Sequence, residues 1–173
     1  MTIAIKPTAS SATIEHNDST ILTVDSSGNI TPSNQMYPKV PVFSTYASAA
    51  QTLTAATWTK IAFNTEEFDT NSNYNTTNYR FTPTVGGYYQ VNISMKVEGV
   101  TNRMIVGLYK NGSLYKTGDD IQATYGRNIT GSFMVQLNGS TDYIEAYMYD
   151  HGGGSNVVSI STQTHFSGGL VSV

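Results

Sequence analysis

Tyr89-Gln90-Val91-Asn92-Ile93-Ser94-Met95-Lys96-Val97 places an apolar side chain at every odd position and a polar one at every even position. That period of two is the mark of a strand with one face in a core and one in water. Working outward, the period recurs. Phe133, Val135 and Leu137 alternate with Ser132, Met134 and Gln136. Ile144, Ala146 and Met148 face one way, and Tyr143, Glu145, Tyr147 and Tyr149 the other. Val158, Ile160 and Thr162 alternate with Val157, Ser159 and Ser161, and Ile61 with Phe63 shares a face downstream of Trp58. Each of these segments is expected to be a strand.

Turn formers separate the runs: Asn71-Ser72-Asn73, Val85-Gly86-Gly87, Asn138-Gly139-Ser140 and Gly152-Gly153-Gly154. Lys110-Asn111-Gly112-Ser113 is the sharpest, because Asn-Gly favours the positive φ angles of a type I′ hairpin. No apolar helical period exceeds two turns. Many short strands with regular turns make an all-β sandwich or barrel.

Residues 1–40 differ from the rest. They are rich in Ser, Thr and Asn, with short apolar pieces at Ile14, Ile21, Leu22, Val24 and Ile30. Ser26-Ser27-Gly28-Asn29 reads as a turn joining two short strands. A lone hairpin is marginal in water, so this extended arm either packs on something else or is a tail. Pro32, Pro38 and Pro41 mark a stiff linker into a main domain over 41–173.

Composition narrows the function classes. The chain has 173 residues, a net charge of -3, 12% charged residues and 39% hydrophobic ones. Its length suits one ordinary domain plus an appendage. Nine scattered cations make no basic stripe, which argues against a nucleic-acid binder dominated by phosphate contacts. Thr (24), Ser (18) and Asn (14) supply an uncharged polar surface, and the absence of cysteine excludes a disulfide scaffold and thiolate chemistry. Met1–Pro7 lacks the apolar core of a signal peptide, and no run approaches the ~18 apolar residues of a membrane helix.

Catalysis finds little support. His16, His151 and His165 stand in three contexts, none pairs with Ser or Asp in a nucleophile motif, and no Gly-x-Ser-x-Gly occurs. The expectation is no enzyme, no cofactor and no metal. Asp119-Asp120, and Asp69 with Glu66 and Glu67, lack the spacing of a calcium loop and read as solvated carboxylates.

Met104-Ile105-Val106-Gly107-Leu108-Tyr109 is apolar on both faces. Its second face needs cover, as do the outward tyrosines. Self-association would provide it, so Leu108, Tyr109, Tyr143, Tyr147 and Tyr149 are the expected interface between copies. Loop residues Tyr74, Asn75, Tyr125, Arg127 and His151 combine aromatic faces with planar polar groups. Glycan contact and plain surface are equal readings of them.

The order of elements resembles the globular-head jelly roll of the complement subcomponent and tumour necrosis factor superfamily. Phe81-Thr82-Pro83-Thr84-Val85-Gly86-Gly87-Tyr88-Tyr89 is similar to its F-T-P-x-x-G-x-Y-x-F signature, with Gln90-Val91 where the last aromatic would sit. Pro41–Tyr46 resembles the opening strand, and Val106–Gly112 the strand that ends in an Asn-Gly turn. Gly131–Leu137 with Gly139 and Asp142 resembles the strand leading to L-x-x-G-D, with an altered turn. Phe166-Ser167-Gly168-Gly169-Leu170 resembles the C-terminal F-S-G-x-L strand. The resemblance implies a jelly roll of about ten antiparallel strands that assembles as a homotrimer.

Animal members of the family usually carry a collagen stalk, and no Gly-X-Y repeat is present here. The arm looks instead like the N-terminal pieces of phage fibre and virion appendage proteins. The implied role is a bacteriophage surface protein, made in the host cytoplasm and held to other virion proteins by residues 1–40. It would serve as a capsid decoration, head fibre or short tail-fibre subunit. A receptor-binding tip for host glycan, and a bacterial spore-surface or secreted head domain, are the alternatives.

Overall fold

A computed structural model describes residues 3–7, 11–16, 19–32, 40–100, 102–122 and 124–173. The chain divides into two compact units, Met1–Pro38 and Lys39–Val173. The linker positions around Pro38 lie outside the described residues.

The first unit is a four-stranded antiparallel meander: β1 (Ile3–Pro7), β2 (Ser11–His16), β3 (Ser19–Asp25) and β4 (Ile30–Pro32), in that order. This is more than the single hairpin expected, because β1 and β2 extend it. Cross-strand pairing aligns Ile14 with Leu22, and Ala12 with Val24 and Ile30. Directly opposed residues share a face, so these five line one side while Thr13, Thr23 and Thr31 line the other. Ile21 also lies in β3. The turn into β4 is held by Asp25, whose carboxylate accepts from the backbone N–H of Ser27 (2.8 Å) and Asn29 (2.9 Å). The Asn29 side-chain amide, with these backbone bonds, holds its pKa below the ordinary value.

The second unit holds the remaining strands. They are β5 (Val42–Tyr46), β6 (Gln51–Thr52), β7 (Thr57–Lys60), β8 (Thr65–Asp69), β9 (Tyr74–Asn75), β10 (Arg80–Phe81) and β11 (Gly87–Glu98). Then follow β12 (Arg103–Lys110), β13 (Ser113–Gln122), β14 (Arg127–Leu137), β15 (Ile144–Asp150), β16 (Asn156–Val157) and β17 (His165–Ser172). One sheet runs β6-β16-β11-β17-β5-β8, with β14 on β11; we call it the long sheet. The other, the short sheet, runs β13-β12-β15-β10-β9. Among the described residues, the strand pairings are antiparallel apart from one isolated bridge, Ala55 to Asp150.

The core fills the space between the sheets. Tyr89, Val91, Ile93, Met95 and Val97 of β11 are each at most 1% exposed, as the alternation demands. They meet Met104, Val106 and Leu108 of β12 and Ile144, Ala146 and Met148 of β15. Phe43, Phe81 and Phe166 form an aromatic centre, with ring centroids 4.2 Å (Phe43–Phe81) and 5.0 Å (Phe43–Phe166) apart. The Asn111-Gly112 turn has φ of 52° and 78°, both positive, and joins β12 to β13 with Lys110 opposite Ser113.

Two expectations fail here. Val158–Thr162 is not a strand: the N–H groups of Gln163 and Thr164 both donate to the Ile160 carbonyl (2.8 and 2.7 Å). That turn leaves Ile160 43% exposed, so its alternation had no sheet to serve. Leu108 is not at a subunit interface: it is fully buried between the sheets. The outward positions of β12 are Ile105, Gly107 and Tyr109, paired with Tyr149, Tyr147 and Glu145 of β15.

Candidate functional site

The outward face of the short sheet carries the expected tyrosines, and the chain itself supplies cover for them. Strand β7 runs beside β15, with the N–H groups of Ala56 and Ile61 donating to the carbonyls of Asp150 and Ala146 (2.8 and 3.0 Å). This places Trp58 over the sheet. Its ring centroid lies 5.8 Å from Tyr109 and 5.5 Å from Tyr149, while Tyr109 stacks on Tyr147 at 3.8 Å. His151 extends the row, 6.5 Å from Tyr149. Burial raises the pKa of the Tyr109 and Tyr147 phenols above the ordinary value.

A charged cluster adjoins the rings. Glu145 is 2% exposed, and its Oε1 accepts from Lys60 Nζ (3.1 Å) and from Arg80 Nε (3.1 Å) and Nη2 (3.0 Å). The Arg80 guanidinium also lies 3.5 Å from the centroid of Tyr143. Both cations remain about a third exposed at 30%. The cluster joins β7, β10 and β15, residues 60, 80 and 145, so nothing local in the sequence marks it.

The opposite side of the second unit, the outward face of the long sheet, is built differently. Cross-strand pairing lines up Met134, Gln90, Gly169 and Val42, and beside them Ser132, Asn92, Ser167, Ser44 and Phe68. The middle is small and polar: Gln90 Nε2 donates to Ser132 Oγ (2.8 Å), which donates to Asn92 Oδ1 (2.9 Å). Over β17 lies an open groove of about 330 Å³ flanked by Phe68, Leu170 and Val171. Phe68 and Val171 are 52% and 57% exposed, and Tyr88 and Met134 share the face.

The loop candidates scatter. Tyr125 and Arg127 are exposed together where the chain enters β14, Asn75 is exposed in β9, and His151 joins the aromatic row. Tyr74 is corrected: it is 6% exposed, in β9, with its ring 5.6 Å from Phe43 and its hydroxyl donating to the Phe63 carbonyl (2.9 Å). Its asparagine neighbours build turns. Asn75 Oδ1 accepts from the N–H of Thr77 and Asn78, and the β9–β10 hairpin then closes Tyr74 onto the core. Burial lifts the Tyr74 phenol well above the ordinary range.

The carboxylates considered for calcium serve separate partners. Asp120 pairs with Arg103 (2.7 and 2.6 Å), and Asp119 accepts from the Thr130 N–H and hydroxyl (2.8 and 2.9 Å). Asp69 accepts from the Asn71 and Tyr74 N–H groups, and Glu67 from the Ser44 hydroxyl. Among the described residues, no group of three or more His, Asp or Glu side chains is arranged to hold a metal ion.

Similarities to known proteins follow this architecture. The crystal structure of murine APRIL at pH 8.5 superposes with a TM-score of 0.59 at 10% identity, covering 76% of this chain and 99% of that one. The globular domain of zebrafish complement 1qA protein gives 0.56 at 17% identity, covering 76% and 97%. At such identities the likeness shows the fold alone. No curated protein sequence matches the chain. The family model of the C1q domain matches residues 42–171, β5 through almost all of β17. The chain belongs to the C1q domain family.

Proposed function

We propose that the protein is a homotrimeric head subunit on the surface of a bacteriophage particle, held there by its N-terminal sheet. The observation that carries the trimer is the outward face of the long sheet. Phe68 and Val171 flank an open groove there, beside Tyr88 and Met134, and all four are exposed. Soluble monomers rarely leave such a patch open, and a closed ring of identical copies covers it. C1q and tumour necrosis factor-like domains typically assemble this way. On the short sheet, Tyr109 and Tyr149 pack on Trp58 of their own chain, Tyr147 stacks on Tyr109, and Tyr143 lies beneath Arg80.

Anchoring falls to the first unit. A single-layer sheet with Ile14, Leu22, Val24 and Ile30 on one side has an apolar face to bury against a second layer. A site on another virion protein would supply that layer. In this reading the role is decoration or short-fibre assembly.

Light scattering after size exclusion tests the trimer: the expected mass is about three times 18.7 kDa. Phe68→Glu with Val171→Glu should yield a folded monomer, because both side chains are already exposed in the single chain. A wild-type monomer at micromolar concentration would overturn the assembly. Ile14→Lys with Val24→Lys should preserve the trimer and abolish incorporation into particles. Full incorporation of that variant would put the anchor elsewhere.

A further inference from the structure

The outward face of the short sheet is a second surface, chemically unlike the groove over β17. We propose that it binds an acidic saccharide. The sugar ring would stack on Trp58 and the Tyr109–Tyr147 pair, with its carboxylate at Arg80 and Lys60. This goes beyond the assembly role and does not depend on it.

Four observations support the ligand class. First, the face carries a cluster of four aromatic side chains beside the aliphatic Ile105 and Leu114. Trp58, Tyr109, Tyr147 and Tyr149 are all partly exposed, on strands that fix their positions. Flat aromatic side chains flanked by hydrogen-bonding groups suit the C–H faces and hydroxyls of a sugar ring.

Second, Trp58 lies on the backbone of Gly107, where a Cβ would come within 2.7 Å of its Cζ3 atom. The missing side chain lets the indole rest against the sheet as a preorganised platform.

Third, the local charge is unbalanced. Lys60 and Arg80 share the single carboxylate of Glu145, which leaves a surplus of one positive charge in a chain whose net charge is -3. Arg80 donates to Glu145 through Nε and Nη2, so its Nη1 is available for a second carboxylate. Lys60 spends two of its three donors on Glu145 and the Asn78 carbonyl.

Fourth, the spacing fits. Glu145 and Tyr147 are successive outward positions on β15, about 6.8 Å apart along a strand. The cations held by Glu145 therefore adjoin Tyr147 on the same face.

Trp58 is the single tryptophan of the chain, so its emission reports on this face alone. The 173-residue chain is titrated with polygalacturonate, alginate and polysialic acid, and with neutral dextran. The expected result is a saturable change in Trp58 emission with at least one acidic polymer and none with dextran. Arg80→Gln should weaken that binding about tenfold, the worth of one charge-assisted contact. Tyr147→Ala should remove it. Lys60→Gln, on a side chain 30% exposed, repeats the charge test should Arg80→Gln lower the melting temperature.

Silence with all three acidic polymers, in emission and in native-gel retardation, overturns the proposal. So does equal binding of dextran, or wild-type affinity after loss of either cation. Emission that shifts on protein dilution instead would mean that a second copy covers this face, and that also overturns it. Light scattering on the same samples keeps failure here distinct from failure of the trimer.

Discussion

Trp58 rests on Gly107: a Cβ at residue 107 would lie 2.7 Å from Cζ3 of the indole, closer than carbon atoms approach. A residue on β7 is thereby seated on β12, an inner strand of the short sheet. Gly107→Ala should lift the ring. The expected cost is about 1–3 kcal/mol, as for other overpacked positions. It should come with a red shift in tryptophan emission, read during urea unfolding. An unchanged spectrum would mean that the indole sits elsewhere.

Glu145 should be more valuable than its place on an outward face implies. Its carboxylate is 2% exposed and answers two cations. Glu145→Gln leaves Lys60 and Arg80 without their counter-ion. The expected loss is about 2 kcal/mol, less than for a fully buried pair because both cations are partly exposed. A double-mutant cycle with Arg80→Gln should return a positive coupling. Additive losses would show that the pair does not stabilise the fold.

Asp142 should contribute to acid unfolding. The Asn111 amide donates to it (2.7 Å) and Lys110 lies 3.0 Å away, and together with the Asn138 N–H they hold its pKa below the ordinary value. A carboxyl whose folded pKa is depressed stabilises above its unfolded pKa, near 3.9, and loses that contribution as pH falls through the folded one. The melting-temperature gap between wild type and Asp142→Asn should therefore be full at neutral pH. It should begin to close below about pH 4. A gap that widened with acid would contradict the assignment.

Tyr74→Phe tests a residue that looked like a surface contact and is a core one. Its hydroxyl satisfies the buried Phe63 carbonyl at 2.9 Å. The variant should lose about 1–2 kcal/mol of stability, the cost of an unpaired buried acceptor. Binding to host cells or saccharide should be unaffected. Lost binding at unchanged stability would return Tyr74 to the surface.

By itself the sequence determined the elements whose environment repeats along the strand. The odd positions from Tyr89 to Val97 are buried because a period of two can satisfy only a two-sided sheet, and Phe133–Leu137 and Ile144–Met148 follow the same rule. Asn111-Gly112 fixed its turn because few other pairs tolerate two positive φ angles. The fold class and the family signature from Phe81 to Tyr89 were legible for these local reasons.

The tertiary structure decided whatever depends on which strands become neighbours. Tyr74 and Leu108 could not be placed by pattern: one sits among asparagines, the other in a strand apolar on both faces, and only the sandwich says which way each points. The alternation at Val158–Thr162 was indistinguishable from a strand until a turn at Ile160 claimed its backbone groups. The Lys60–Arg80–Glu145 cluster and the platform of Trp58 on Gly107 join residues far apart in the chain. Their chemistry arises from β7 and β10 lying beside β15. A one-dimensional pattern records burial along a strand, and the pairing of strands is set by the packing of the whole core.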